Sequence, residues 1–226
     1  MRGQCLMCTP PTCFKRLPRG EMPLSRVYLL SPARCDGKRA ALLVNPRADF
    51  ALARQLRQPD GAPLGEVFSF LSGLYFRGKL SYARAFATEA GEIMPIMIIT
   101  TTRGLVTPEA RIGPAELAEF ADVDIAARDA RYLKPLRRDI TSLNQAIGSH
   151  TLVVLLGSIA TGKYVDALIE VFGDRLVFPV EFVGRGDMSR GGLLLRQARE
   201  GRELEYAPVA GADRHGPRPP KLERLR

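Results

Sequence analysis

The chain predicts a three-layer α/β/α fold with a mostly parallel central sheet of four to five strands, and three observations carry that reading. Short runs that are apolar throughout, save for Glu181 in the last, recur at Val27–Leu30, Ala40–Val44, Ile96–Ile99, Leu152–Leu156 and Leu176–Val183, as strands covered on both faces do. Helical segments separate them, and parallel strands need such crossovers, which are right-handed. Two runs also lead through glycine-rich turns, Gly157-Ser-Ile-Ala-Thr-Gly-Lys163 and Gly184-Arg-Gly-Asp-Met-Ser-Arg-Gly-Gly192, into helices. Open α/β sheets place ligands at such strand ends, where free helix N–H groups favour phosphate.

The helical periodicity falls at Phe50–Leu56, Leu80–Ala90, Ala115–Phe120, Ile125–Ile147, Val165–Phe172 and Leu193–Glu200. Pro135 is expected to kink or split the longest of these, because proline removes a backbone donor and crowds the preceding turn. Residues 24–210 make the folded domain on this reading. Residues 1–23 form a Cys- and Pro-rich extension, and residues 211–226 a basic, Pro-rich tail with too little apolar content to pack.

Composition narrows the function classes. Of 226 residues 46% are hydrophobic and 25% charged, as in an ordinary soluble globule. No apolar run reaches the roughly 18 residues that span a bilayer, and no apolar segment near the start reads as a secretion signal. A cytoplasmic, monomeric protein without membrane contact is expected. Lys and Arg total 33 against 24 Asp and Glu, a net charge of +9. A basic surface of that kind concentrates polyanions and points to nucleic acid, with DNA the expected partner; a merely solvated basic tail is the plain alternative.

Cys5, Cys8, Cys13 and Cys35 all lie near the start. C-x-x-C at Cys5 and Cys8 is metal-ligand spacing, and Cys13 and Cys35 would complete a four-sulfur site for zinc or an iron–sulfur cluster. The later spacings match no common zinc ribbon, so reduced cysteines and no cofactor are the expectation, with the metal site as the alternative.

The turn at Gly157 has the G-x-x-x-x-G-K form of a phosphate loop, but Tyr164 stands where Ser or Thr would hold Mg²⁺. Glu181 is the only acid in the next strand, so a triphosphatase lacks its second anchor; Ser158 or Lys163 remains a phosphate-contact candidate. In the second turn Arg185, Ser189 and Arg190 are phosphate-binding types beside Asp187, and the glycines are read as allowing close backbone approach to a ligand. The alternative makes Asp187 or Ser189 a helix cap. The loop after the first strand adds Asp36, a candidate for orienting water or stabilising a cation, with Lys38 and Arg39 for phosphate. In Phe68-Ser-Phe-Leu-Ser-Gly-Leu-Tyr-Phe-Arg-Gly-Lys79, aromatic side chains interleaved with Arg77 and Lys79 suit base stacking beside backbone neutralisation, with Tyr75 and Arg77 the better candidates, whereas at least two of Phe68, Phe70 and Phe76 belong to the core. His150 and His215 fall in no catalytic or ligand pattern.

The layout over about 180 residues resembles the uracil-DNA glycosylase superfamily, with Asp36 in its acidic water-activating loop and Asp187-Met-Ser-Arg-Gly191 in its Ser-containing loop beside DNA. That family's second loop usually begins with His and often Pro, and Gly184-Arg-Gly has neither. Ser31-Pro-Ala33 and Leu71-Ser-Gly-Leu-Tyr75 resemble signatures of the YaaA peroxide-stress proteins, which are thought to bind DNA. Ile98-Ile-Thr100 and Arg103-Gly-Leu-Val-Thr-Pro108 are similar to an uncharacterised phage and bacterial group. The first resemblance implies a DNA glycosylase that flips out a damaged or modified base, a modified phage base in antiviral defence among them, with Asp36 or Asp187 catalytic; the residue types add Tyr75, Arg77, Lys38, Arg39, Arg185, Ser189, Arg190 and Lys163 as those holding substrate. The second implies a non-catalytic DNA-binding stress protein. An enzyme of free nucleotides or bases is a third expectation.

Overall fold

Strand β1 (Arg26–Leu30) stands near the middle of the sheet, and every residue from Val27 to Leu30 is fully buried. Successive side chains of a strand point to opposite faces, so both faces of the sheet are covered. The computed structural model describes residues 25–87, 94–125, 129–220 and 222. After β1 come α1 (Lys38–Val44), α2 (Ala51–Leu56), β2 (Ala62–Pro63), α3 (Leu64–Ser72), α4 (Leu74–Phe86), β3 (Ile96–Ile99), β4 (Leu105–Val106), β5 (Arg111–Ile112) and α5 (Pro114–Ala121). The second half holds α6 (Ala130–Ala146), β6 (Leu152–Leu156), α7 (Gly162–Phe172), β7 (Leu176–Pro179), α8 (Asp187–Glu200) and β8 (Tyr206–Pro208).

The central sheet has the order β4-β3-β1-β6-β7-β8. Its four inner strands are parallel and its two edge strands antiparallel, which bears out the mostly parallel three-layer architecture, with six strands where four to five are expected. A two-stranded ribbon, β2 with β5, stands apart. The edge strands β4 and β8 have only 2 and 3 residues, too short to show a strand pattern in sequence.

From β1 the chain crosses to β3 on one side and later returns to β6 on the other, so the strand order reverses between β1 and β6. The parallel register pairs Arg26 with Leu152 and Leu30 with Leu156, which sets Ser31 beside Gly157 at the carboxyl edge. The Ser31 N–H donates to the Leu156 carbonyl at 3.1 Å. Open α/β sheets bind ligands at such a reversal.

Three elements differ from the sequence expectation. Ala40–Val44 is helical, the end of α1; only Ala40 and Leu43 are buried in it, an i, i+3 pair on one face. The run is too short for its composition alone to separate helix from strand. Strand β7 ends at Pro179, and Val180–Phe182 forms a 3-10 turn. Helix α6 runs unbroken through Pro135. Proline costs it one backbone bond, and the buried stripe Tyr132, Leu136, Ile140 and Leu143 secures the helix on both sides.

Helices α4 and α8 meet backbone to backbone. A Cβ on Gly78 would lie 2.6 Å from the Gly191 carbonyl oxygen, and one on Gly191 would lie 2.6 Å from the Leu74 oxygen and 2.7 Å from the Tyr75 Cα. Real Cβ atoms do not approach so closely, so glycine at both positions lets the helices touch. The described part of the tail is not detached: Ala212 and Leu222 pack against the core. No helix among the described residues is long and apolar enough to cross a membrane.

Candidate active-site crevice at the β1/β6 strand ends

The most deeply placed polar group lies on α4. Lys79 is 1% exposed, and its Nζ donates to the Ser31 carbonyl at 2.6 Å and to the Ser31 Oγ at 2.9 Å. The ammonium sits 4.6 Å from the centroids of both the Tyr75 and Phe76 rings. Burial disfavours the charged amine and brings its pKa down to about 7, against a smaller opposing pull from Asp187. Two hydrogen bonds and two ring faces thus hold an amine that is half-protonated near neutrality.

Four further side chains, Tyr164, Tyr75, Arg190 and Asp187, close around this pair. Tyr164 turns inward from the first turn of α7 and donates from its hydroxyl to the Ser158 carbonyl at 3.0 Å; burial pushes its pKa up to about 12. A Cβ on Gly157 would lie 2.7 Å from this hydroxyl and 2.8 Å from the Ser31 Cβ, so only glycine fits there. Tyr75 is buried, its ring edge against Phe182, and its hydroxyl has no hydrogen-bond partner among the described residues. Burial raises its pKa, while the Arg190 charge acts in the opposite sense. A buried hydroxyl without a partner is costly, commonly ~1–3 kcal/mol, and here it sits beside Tyr164, Asp187 and Arg190.

Arg190 is buried, with Nε and Nη2 donating to the Phe182 carbonyl at 3.1 and 3.0 Å. Its Nη1 lies 3.5 Å from an Asp187 oxygen. Asp187 opens α8, and its carboxylate is 69% exposed. Helix α8 begins at Gly186 without a side-chain cap, so neither Asp187 nor Ser189 caps it. The Asp187 carboxylate thus stands at a helix N-terminus, where the backbone dipoles favour negative charge.

The sequence candidates separate into groups. Ser31, Lys79, Tyr75, Tyr164, Arg190 and Asp187 converge; Ser31 was not singled out for chemistry, and Lys79, expected beside Arg77 to neutralise a nucleic-acid backbone, is instead buried on Ser31. A lysine inside an otherwise aromatic and apolar stretch was the available signal. Tyr75 is not a stacking platform, because its ring is inside; Phe68 and Phe76 are core, and Phe70 stacks on Phe50 with ring centroids 5.2 Å apart. Arg190 grips a carbonyl rather than facing outward for phosphate.

Asp36 is exposed and paired with Arg34, whose Nε donates at 2.5 Å and Nη2 at 3.0 Å. Those hydrogen bonds hold its carboxyl below the usual range. Lys38, Arg39, Arg77 and Lys163 are exposed, and Arg39 donates to the Phe70 carbonyl at 3.1 Å. Lys163 lines a separate groove of ≈ 560 Å³ with Arg137, Thr161 and Asp166, because Tyr164 takes the inward direction from the turn. Arg185 reaches Ser189 Oγ at 3.3 Å.

The glycines of the second turn serve the fold more than ligand approach. Gly191 meets α4, Gly184 adopts φ +72 against the Pro217 carbonyl, and Gly192 faces Leu222; Gly186 alone of the four has open space beside it. Cys35 is buried and its Sγ contacts the Ala33 carbonyl at 3.5 Å, with burial pushing the thiol up to about 12. Cys5, Cys8 and Cys13 lie outside the described residues, among which no cluster of three or more His, Cys, Asp or Glu side chains forms.

The class defined by this fold and site is an open α/β protein with a mostly buried polar cluster at its strand-order reversal. No family model matches the chain, and no solved structure matches it. Among curated proteins it is similar to Endonuclease MutS2 of Alkaliphilus metalliredigens (strain QYMF), with 34% identity over 96 residues. That match covers 42% of this chain and 12% of the relative, so the chain spans about an eighth of the length of the curated relative it matches.

Proposed function

We propose that the protein binds DNA and hydrolyses an N-glycosidic bond of a damaged or modified base at the β1/β6 crevice. The observation that carries this reading is the convergence there of the Asp187 carboxylate with the buried Ser31–Lys79 pair. The net charge of +9 supports a polyanionic partner, and so does the partial similarity to a protein named an endonuclease. Exposed Lys38, Arg39 and Arg77, together with Arg185 and Ser189, supply phosphate contacts.

The target base is extruded from the stack. Water attacks C1′ as the C1′–N bond breaks, and the bond's electron pair leaves with the base. Asp187 stabilises the positive charge developing on the sugar and accepts the proton that the attacking water releases as it becomes the C1′ hydroxyl. The departing base takes a proton from the Ser31 hydroxyl, which Lys79 restores from its ammonium; an amine with a pKa near 7 suits that exchange. Asp36 is left out of the chemistry because Arg34 holds both its oxygens in hydrogen bonds of 2.5 and 3.0 Å, a tighter pairing than the 3.5 Å contact of Asp187 with Arg190.

The test incubates the protein with normal, uracil-containing and phage-modified DNA, heats in alkali and measures strand breaks at abasic sites. Breaks with the wild type, lost in Asp187→Asn and kept in Asp36→Asn, are expected. Salt-sensitive binding with no breaks on any substrate instead establishes the second reading, a non-catalytic DNA-binding protein, which the close packing of Tyr164 against Gly157 favours.

A further inference from the structure

The segment after β8 crosses the loop that carries Arg185 and Ser189. Gly184 has φ +72, and its α-carbon faces the Pro217 carbonyl so closely that a Cβ would collide with the oxygen. Arg185 Nη1 donates to the Pro220 carbonyl at 3.4 Å. Leu222 rests 3.6 Å from the Cβ position of Gly192 and packs on the core, and Arg214 lies 3.5 Å from Asp166 of α7. The segment therefore reaches from the first turns of α7 to the first turns of α8.

These contacts hold the segment in place but satisfy Arg185 poorly. The guanidinium has a 3.4 Å bond to a neutral carbonyl and a 3.3 Å bond to the Ser189 hydroxyl, while its Nε is buried without a partner among the described residues. A phosphate would offer the same fork two charged oxygens, a pairing stronger than either present bond. Between Gly211 and Arg218 the segment forms no helix or strand, and most of its residues are exposed, so lifting it breaks few contacts.

We propose that residues Ala212–Pro220, anchored by Leu222, are a displaceable strap over part of a nucleic-acid-binding surface, and that the strap and a nucleic-acid phosphate compete for Arg185. This rests on the nucleic-acid reading above and adds the control of access to that surface. Closed, the strap occupies Arg185 with the Pro220 carbonyl; open, it frees Arg185 and Ser189 for a backbone phosphate.

The sign of one measurement decides the matter. Residues 212–226 carry five basic and two acidic residues, so deleting them weakens binding if the tail is simply a basic arm. The strap predicts the opposite. A strap closed about nine-tenths of the time masks the intrinsic affinity roughly tenfold. Fluorescence anisotropy with a labelled DNA duplex at fixed salt compares the full chain, a chain ending at Gly211, and Leu222→Asp. The last variant removes the tail's apolar anchor, keeps its basic residues and adds a negative charge. Both altered forms are expected to bind tighter, the truncation by about tenfold. Equal or weaker binding by both overturns the strap while leaving DNA binding standing. No binding by any form overturns the DNA reading and the strap with it. Should the shortened chain fail to fold, Leu222→Asp decides alone.

Discussion

Replacing Lys79 by Met keeps the length of the side chain and removes its charge, and the consequence is best read as a dependence on pH. In the folded state burial brings the amine down to about 7, from 10.5 in an unperturbed lysine. Between those values the unfolded chain holds a proton that the folded chain has released, so the unfolded state binds more protons and stability rises with pH. Below pH 7 both states are protonated, and the fold must contain a buried ammonium. The slope approaches ~1.4 kcal/mol per pH unit once the folded group is deprotonated and is about half that at pH 7, which gives roughly 2 kcal/mol between pH 7 and 9. Met has no such slope. It also leaves the Ser31 carbonyl without its Lys79 donor, at a pH-independent cost of ~1–3 kcal/mol. The stability of Lys79→Met relative to wild type should therefore fall by about 2 kcal/mol from pH 7 to pH 9, as measured by urea unfolding of both proteins at each pH. Every other titrating group is shared and cancels in the difference. Parallel profiles would refute the argument, since they would mean that the amine titrates as it does in water.

Other consequences follow from the same geometry. Gly191→Ala should lower stability by roughly 2–3 kcal/mol, because its Cβ meets the α4 backbone, whereas Gly186→Ala, with open space around it, should change it by less than about 0.5 kcal/mol; thermal melts compare the two. Cys35, with a thiol pushed up from 9.0 to about 12, should hold roughly a thousandfold less thiolate than an unperturbed cysteine. Iodoacetamide at pH 8 followed by peptide mass mapping should find Cys35 unmodified until urea is added, and rapid native labelling would contradict the burial. Tyr164→Phe removes the hydroxyl that reaches the Ser158 carbonyl, and should cost ~1 kcal/mol in urea unfolding; an unchanged midpoint would show that this bond does not hold the turn.

The parallel strands were legible because burial on both faces leaves nothing but apolar residues, as in Leu152–Leu156. The reversal beside Ser31 was not, because strand order is a property of long-range pairing rather than of any local pattern. Tyr75 and Arg190 illustrate a similar limit. Residue type alone makes both attractive for nucleic acid, yet Tyr75 faces Phe182 and Arg190 serves the Phe182 carbonyl. The glycines around Asp187 were noticed for the right reason, close approach, but the approaching groups are α4 and the tail. Lys79 looks like a phosphate contact by residue type, since a charged residue in an amphipathic stretch normally marks the solvent side, and its 1% exposure reverses that rule.

The contact between Gly78 and Gly191 bears on how this crevice can change over generations. Where helices are spaced by bulky side chains, exchanging one residue for another shifts the gap in small steps. Here main chain rests on main chain, so the gap between Lys79 on one helix and Asp187 on the other has no such adjustment. New specificity has to be written in the loops around the rim, while the two helices beneath are inherited as a fixed frame.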